Sequence, residues 1–510
     1  MKLKTLTLSF LLGLAATSAF AEDRYLVRVP ANVNLSTPET PAPEEATSIA
    51  LRASVLPAGT VGVPYGESQA GFDLSTLLDV TPSSYSLNDI SWSVVSGALP
   101  AGLEIQADGK LAGTPTVKNE AGASFEVQAS YKGADGRQVY TIVVGGKVLK
   151  VTQIAAGAFH TCAVTTAGAV KCWGRDNNGQ LGNDPSLTDQ STPVDVAGLT
   201  SGVASVSGGY DHTCAVTNAG ALKCWGWDGY GQLGDDTALT NQPTPVDVAG
   251  LTSGVAIVSA GYRHTCAVST AGALKCWGWD AYGQLGDGGS NTSQPTPVAV
   301  SGLGAGVGSV SAGWHHTCAV STAGALKCWG RDNTGQLGND TALTSQTTPV
   351  DVKGLAAGVA SVSANGYHTC AVTLAGWLKC WGEDTSGQLG NDTALTNQPT
   401  PVDVLGLTSG VASVSAGSAH TCAITSPGGL KCWGYDGYGQ LGDDTALTNQ
   451  STPVAVSGLG SGVATVTAGS GQTCAVTTAG ALKCWGRDTY GQLGDGSSNS
   501  DKPTPVDVLP

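Results

Sequence analysis

Apolar residues in this chain come in short runs, alternating with polar ones or clustered, and broken by glycine, proline, asparagine and aspartate. Four such runs stand out within one stretch: 203–207, 212–217, 221–225 and 245–248. Each has the length and composition of a strand, and the turn residues between them argue against long helices. The arrangement returns every 52 residues, seven times, without one insertion or deletion. A period of roughly 20–50 residues or slightly more marks a solenoid, a propeller or an array. Four strands per unit is the content of a propeller blade, and ~4–8 blades are usual. The predicted fold class is therefore all-β, with a seven-bladed β-propeller over residues 148–510. A closed ring also removes the edge problem of open sheets. The first unit has no Pro-Val-Asp-Val run upstream, and the last ends on a spare one, Pro505-Val506-Asp507-Val508. That strand is expected to complete the first blade and lock the ring.

Cysteines mark every unit: Cys162 and Cys172, Cys214 and Cys224, Cys266 and Cys276, Cys318 and Cys328, Cys370 and Cys380, Cys422 and Cys432, Cys474 and Cys484. Between the two runs that carry the first pair lies Thr166-Ala167-Gly168. A three-residue hairpin loop takes a type I turn followed by a left-handed residue, which Gly168 supplies. Thr165 then faces Ala169, and counting inward sets Cys162 opposite Cys172. A non-hydrogen-bonded pair has its Cα atoms ~4.5 Å apart, within disulfide reach. Seven hairpin disulfides are predicted. Zinc is disfavoured, because its cysteine pairs sit closer in sequence and need four converging ligands.

Three further segments precede the repeats. Residues 1–21 have a basic start, an apolar core and an Ala19-Phe20-Ala21 cleavage pattern, as a signal peptide does. Export would place the cysteines where disulfides persist, at the cell surface, in the periplasm or outside the cell. Residues 22–49 are rich in Pro, Glu and Thr and form a linker. Residues 50–147 contain strand-like runs at 90–95, 125–129 and 139–143, with Asp108-Gly109 placed as a hairpin turn. Several short strands in such a span suit a β-sandwich. The segment from Ser96-Gly97-Ala98-Leu99-Pro100 through Asp108-Gly109-Lys110-Leu111-Ala112-Gly113-Thr114-Pro115 resembles the immunoglobulin-like modules of bacterial surface and secreted proteins. That resemblance implies a structural or adhesive domain with no catalytic residues.

Composition narrows the function classes. Charged residues make up 12% and Gly 72 of 510, against ~25% charged and ~7% Gly in an average chain. A net charge of −15 argues against an unaided binder of nucleic-acid backbone. Gly-x-Ser-x-Gly, phosphate-loop and His-Glu-x-x-His motifs are absent. His160, His212, His264, His316, His368 and His420 share one repeat position, with Gln472 in the last unit. A residue repeated around a ring reads as a blade-packing hydrogen bonder rather than as a general base. The tryptophans equivalent to Trp225 read as core. Asp176 and its equivalents read as Asx-turn residues. Asp228 with Asp235 and Asp236 lacks the alternate spacing of a calcium loop, so no metal or cofactor is expected. Six units carry Gly before the pair that precedes the histidine, and the fifth carries Asn365. That exchange predicts a left-handed backbone there.

Cys214-Ala215-Val216, Lys223-Cys224-Trp225-Gly226-Trp227-Asp228 and Gly231-Gln232-Leu233-Gly234 together resemble the regulator of chromosome condensation repeat, a seven-bladed propeller family. The paired cysteines resemble a secreted bacterial variant of it. The family's founding member exchanges guanine nucleotides through a protruding wedge. Constant 52-residue spacing leaves no room for such an insertion, so exchange and chromatin binding are not expected.

Function is expected where the units disagree. The pair before each histidine varies, as does the residue after Trp-Gly and one position in the turn beyond. Loops on a rigid scaffold are the usual place for binding groups, and Tyr, Trp and Arg dominate hot spots. The candidate binding residues are Tyr210, Trp227, Tyr230, Tyr262, Arg263, Trp279, Tyr282, Trp314, Tyr367, Tyr435, Tyr438 and Tyr490. The expected function is an exported, non-catalytic binder of a protein or glycan, with no nucleic acid and no membrane span. Two alternatives compete: a purely structural surface protein, and a polysaccharide hydrolase, which needs a carboxylate pair in the central pocket. Asp195, Asp247, Asp351, Asp403 and Asp507 recur on one strand and are expected to face solvent rather than such a channel.

Overall fold

A computed structural model describes residues 47–510 except 67–70, 147–148, 184–185, 237–238, 340–342, 393–394, 445–446 and 498. The expected signal peptide and nearly all of the linker lie outside the described residues. Among those described, no helix is long and apolar enough to cross a membrane.

The first domain is a β-sandwich. One sheet orders Gly59–Thr60, Ala134–Gly145, Asn119–Tyr131 and Ser91–Gly97; a second orders Phe72–Asp73, Lys110–Gly113 and Leu103–Ile105; Ser48–Leu51 pairs with Leu78–Thr81. Alternation along the two longest strands buries Phe125, Val127 and Ala129 on one, and Tyr140, Ile142 and Val144 on the other. The expected hairpin turn is present: Gly109 has φ 86° and the Asp108 carboxylate accepts the Lys110 N–H at 3.1 Å.

Seven four-stranded antiparallel sheets follow, each formed by strands consecutive in sequence. The first uses Val151–Ala156, His160–Thr165, Val170–Gly174 and Gln190–Asp195; the last uses Val463–Ala468, Gln472–Thr477, Leu482–Gly486 and Lys502–Asp507. Each inner strand contacts that of the next blade, and the first contacts the last. The C-terminal strand therefore completes the seventh blade, with Lys483 opposite Asp507, and not the first blade as the sequence suggested. The long loop after each third strand carries the chain back beside that strand, setting Gly174 opposite Gln190. Every repeat is thus a whole blade.

Cys162 faces Cys172 in register, and all seven pairs form disulfides with Cα atoms 4.1 Å apart. Gly168 has φ 78° and Thr165 N–H donates to Ala169 O at 2.8 Å, the predicted hairpin geometry. Each disulfide shares a buried cluster with the indole of the next blade, as Cys214 and Cys224 do with Trp277.

The Gly-Gln-Leu-Gly loop joins neighbouring blades. Trp225 Nε1 and Thr213 Oγ1 both donate to Gln180 O, at 3.0 and 2.8 Å. Since Thr213 Oγ1 donates there, it accepts from His160 Nε2 at 2.8 Å. The repeated histidine is therefore the expected blade-to-blade hydrogen bonder. Gln472 replaces it at ring closure, donating to Gly157 O at 3.0 Å.

Two smaller expectations are corrected. The glycines before the variable pair do not have positive φ, and neither does Asn365. Glycine is required by crowding: a Cβ on Gly157 would lie 2.3 Å from His160 Cε1. The fifth blade escapes because its strand runs on to Asn365, opposite His368, and Gly366 takes the turn at φ 43°. The repeated aspartate spans five residues rather than an Asx turn's two, Asp228 Oδ1 accepting Leu233 N–H at 2.9 Å. As expected, the outer-strand aspartates lie away from the centre; Asp247 and Asp351 pair with Lys223 and Lys327 at 2.7 and 2.6 Å.

Candidate functional site

The variable positions lie on two different loops of each blade, yet one backbone bond brings them together. Trp227 N–H donates to Asp211 O, Trp279 to Arg263 and Arg331 to His315, each at 2.8 Å. The residue after Trp-Gly is therefore held beside the second member of the variable pair. The third position is fixed by the repeat glutamine, whose Oε1 accepts the backbone N–H of Tyr230 and Tyr282 at 3.0 Å. Sequence distance vanishes because the inner and outer loops share one face. The cysteine hairpins point to the other.

On that face the twelve candidates belong to one continuous contact network. Tyr210 meets Tyr262 at 4.3 Å between ring centroids, Tyr262 meets Trp314 at 5.6 Å, and Trp314 meets Tyr367 at 5.4 Å. Further out, Trp227, Tyr230, Trp279 and Tyr282 touch in sequence at 5.5–5.8 Å. Tyr435 and Tyr438 join through Arg487, and Tyr490 through Phe159. Most contacts are edge-to-face or tilted, the favourable geometry for ring quadrupoles.

Five members of the network were visible as variable positions but were not among the candidates: Phe159, Arg175, His315, Arg331 and Arg487. Phe159 touches Tyr210, Tyr490, Arg175 and Arg487 and so joins the two ends of the arc. His315 is buried among Tyr262, Trp279, Tyr282, Trp314 and Tyr367, at 5.0–6.5 Å. Burial, helped by Arg331 and Arg263, lowers its pKa to about 4, so the ring is neutral. No local sequence signal distinguishes it from an ordinary loop histidine.

The arginines stack on rings. Arg263 lies 4.7–5.7 Å from the centroids of Trp227, Tyr230, Tyr262 and Trp279. Arg331 lies 4.9 and 5.1 Å from Tyr282 and Tyr367. Two carboxylates belong to the face, and burial raises both: Asp211, 3.9 Å from Arg175, and Glu383. The rings fail on one side, where Ser418, Ala419, Ser470 and Gly471 fill the variable pairs of the last two blades.

The central cavity is lined by small and backbone-rich residues such as Gly157, Gly209, Gly261 and Ala312, together with Tyr210, Tyr262, Trp314, Asn365 and Ser470. Its lining holds no carboxylate. Among the described residues, no cluster of three or more His, Cys, Asp or Glu is arranged to hold a metal.

Comparison with known proteins gives a consistent picture. The RCC1-like domain family matches residues 120–408, and the regulator of chromosome condensation (RCC1) repeat matches 411–440, 463–492 and 428–476. The immunoglobulin-like He_PIG domain matches residues 57–145. Ultraviolet-B receptor UVR8 of Arabidopsis thaliana is 34% identical over 356 residues, covering 68% of this chain and 80% of that protein. E3 ubiquitin-protein ligase HERC2 of Homo sapiens is 30% identical over 65% of this chain, which spans only 7% of that protein. Prp20p of Saccharomyces cerevisiae superposes with a TM-score of 0.58 at 21% identity, covering 68% of this chain and 87% of its own. Human WBSCR16 gives 0.59 at 23% identity, covering 67% and 94%. At such identities these two structures speak for the fold alone.

Proposed function

The chain belongs to the regulator of chromosome condensation (RCC1) repeat family, and from that premise we propose that it is an exported, non-catalytic binding protein that holds a protein or glycan partner against the aromatic face of its propeller. One observation carries the reading. The positions at which the repeats disagree converge on a single face as one network of rings and guanidinium groups. The repeat alone brings those positions to one face, but a scaffold role gives no reason to fill them with stacked rings and guanidinium groups. Within the family, protein binding is on record for yeast Prp20p, in complex with Kap60 and toward Gsp1p and histones.

Export is supported by the seven disulfides and the absence of a free cysteine among the described residues, because such bridges persist in oxidising compartments. The hydrolase alternative finds no carboxylate pair in the central cavity. The decisive experiment compares the mature chain with a Trp227→Ala/Trp279→Ala variant in pull-downs from envelope and culture fractions. The variant should keep its seven disulfides and its melting transition and lose the captured partner. Identical capture by both proteins refutes a binding role for this face and favours the purely structural alternative.

A further inference from the structure

The propeller contains four arginines, Arg175, Arg263, Arg331 and Arg487, and all four belong to the aromatic face. The chain as a whole carries −15, so this face is a local inversion of charge. A guanidinium that stacks on rings uses its flat sides and keeps its N–H edge for acceptors in its own plane. Arg175 turns that edge toward Asp211, and Arg487 donates to Thr489 Oγ1 at 3.1 Å. Arg263 and Arg331 differ. Each donates to a tyrosine hydroxyl, Tyr230 and Tyr367 respectively, at a long 3.4 Å. Arg263 Nε is buried without any acceptor, and among the described residues no carboxylate lies within ion-pair distance of either arginine, Asp211 acting on Arg263 only from further away. An unsatisfied buried donor on a charged group is costly. A carboxylate is the acceptor whose geometry matches this planar fork.

We propose that the face receives a short acidic segment of a protein, whose carboxylates engage Arg263 and Arg331 on either side of His315. This rests on the binding-face reading and deepens it by naming the partner's chemistry. A protein segment fits better than an acidic polysaccharide for two reasons. Arg263 already lies over four rings, which removes the open platforms on which sugars stack. The loops toward the outermost strands are acidic; Asp235 accepts from Gln242, the first residue of such a strand. A broad polyanion lying across the face meets those carboxylates, whereas a narrow segment reaches the arginines between them.

The test uses the full mature chain and a fluorescein-labelled decaglutamate peptide, read by polarisation and by tryptophan fluorescence. A Gly-Ser peptide of equal length is the control, and sodium alginate is the competitor. The wild type should bind decaglutamate with an affinity that falls as salt rises, and should ignore the control. Arg263→Gln with Arg331→Gln should weaken binding at least tenfold. The Arg263→Lys/Arg331→Lys pair keeps the charge and loses the planar fork, and should fall between the two. It also keeps the test decisive if the glutamine pair misfolds, because unchanged affinity in a folded lysine pair overturns the proposal. Absence of decaglutamate binding overturns it too, as does displacement by alginate at equal carboxylate concentration. If decaglutamate fails while Trp227→Ala/Trp279→Ala still abolishes capture, the acidic-segment inference falls and the binding face stands. If neither substitution set changes anything, both fall.

Discussion

Two sets of buried titratable side chains run around the ring with opposite pH dependence. Burial raises Asp228 to about 7 and Asp280, Asp332, Asp384, Asp436 and Asp488 to about 6, partly offset by each backbone N–H they accept. The folded chain keeps these protons where the unfolded chain, near 3.8, has lost them. Acidification from pH 6 to pH 4 is therefore stabilising through the aspartates. Burial lowers His212, His264, His316 and His368 to about 3, and His160 and His420 to about 4. The unfolded imidazoles, near 6.5, take up protons that the folded ones refuse. Acidification through the same window is destabilising through the histidines. His315 adds to the second set, and Asp211 and Glu383 to the first. The melting temperature should accordingly change little between pH 6 and pH 4. His420→Gln, which copies the residue at position 472, removes one opposing proton and should gain stability relative to wild type as pH falls from 7 to 4. Calorimetry at three pH values checks this; a constant difference between the two proteins contradicts it.

The blade-bridging role of the histidines was legible at this scale, because repetition itself argued against catalysis. The reason for the glycine beside them was not. Sequence shows that a Cβ is avoided at Gly157 and its equivalents, but not whether the cause is the residue's own backbone or a neighbour. Only the packing of His160 against Gly157 decides it.

Among the elements, the hairpins were readable because register is counting. A loop length fixes which residues face each other, and the cysteines then had to meet. Assignment of the outer strand to its blade was not readable, since a Pro-Val-Asp-Val run fits the strand before it or the strand after it equally well. The difference is measurable. In a variant ending at Asp501, loss of Lys502–Asp507 strips the edge beside Leu482–Gly486. Amide exchange there should accelerate at least tenfold, while Val170–Gly174 in the first blade stays protected by Gln190–Asp195. The reverse pattern would restore the arrangement in which the last strand closes the first blade.

For the whole molecule, periodicity made the ring legible and its interruptions pointed to the face. What stayed hidden was the mutual contact of the variable side chains, which depends on backbone bonds between loops such as Arg331 N–H to His315 O. Phe159 and the remaining arginines became part of the site only through those bonds. Closure of the ring repeats the tryptophan and threonine bonds of the other blade junctions, Trp173 Nε1 and Thr161 Oγ1 both donating to Gln492 O at 2.9 Å as Trp225 and Thr213 do to Gln180, while Gln472 takes the place of the bridging histidine.

Leu149 N–H lies 3.4 Å from Val508 O. The two ends of the propeller thus lie side by side. A circular permutant that splices 508 to 149 through a brief tether and opens the chain before Val203 should assemble the same wheel, with its seven disulfides paired as before. Peptide mapping of those bridges is the direct check. The topology leaves the molecule free to be cut wherever two blades abut.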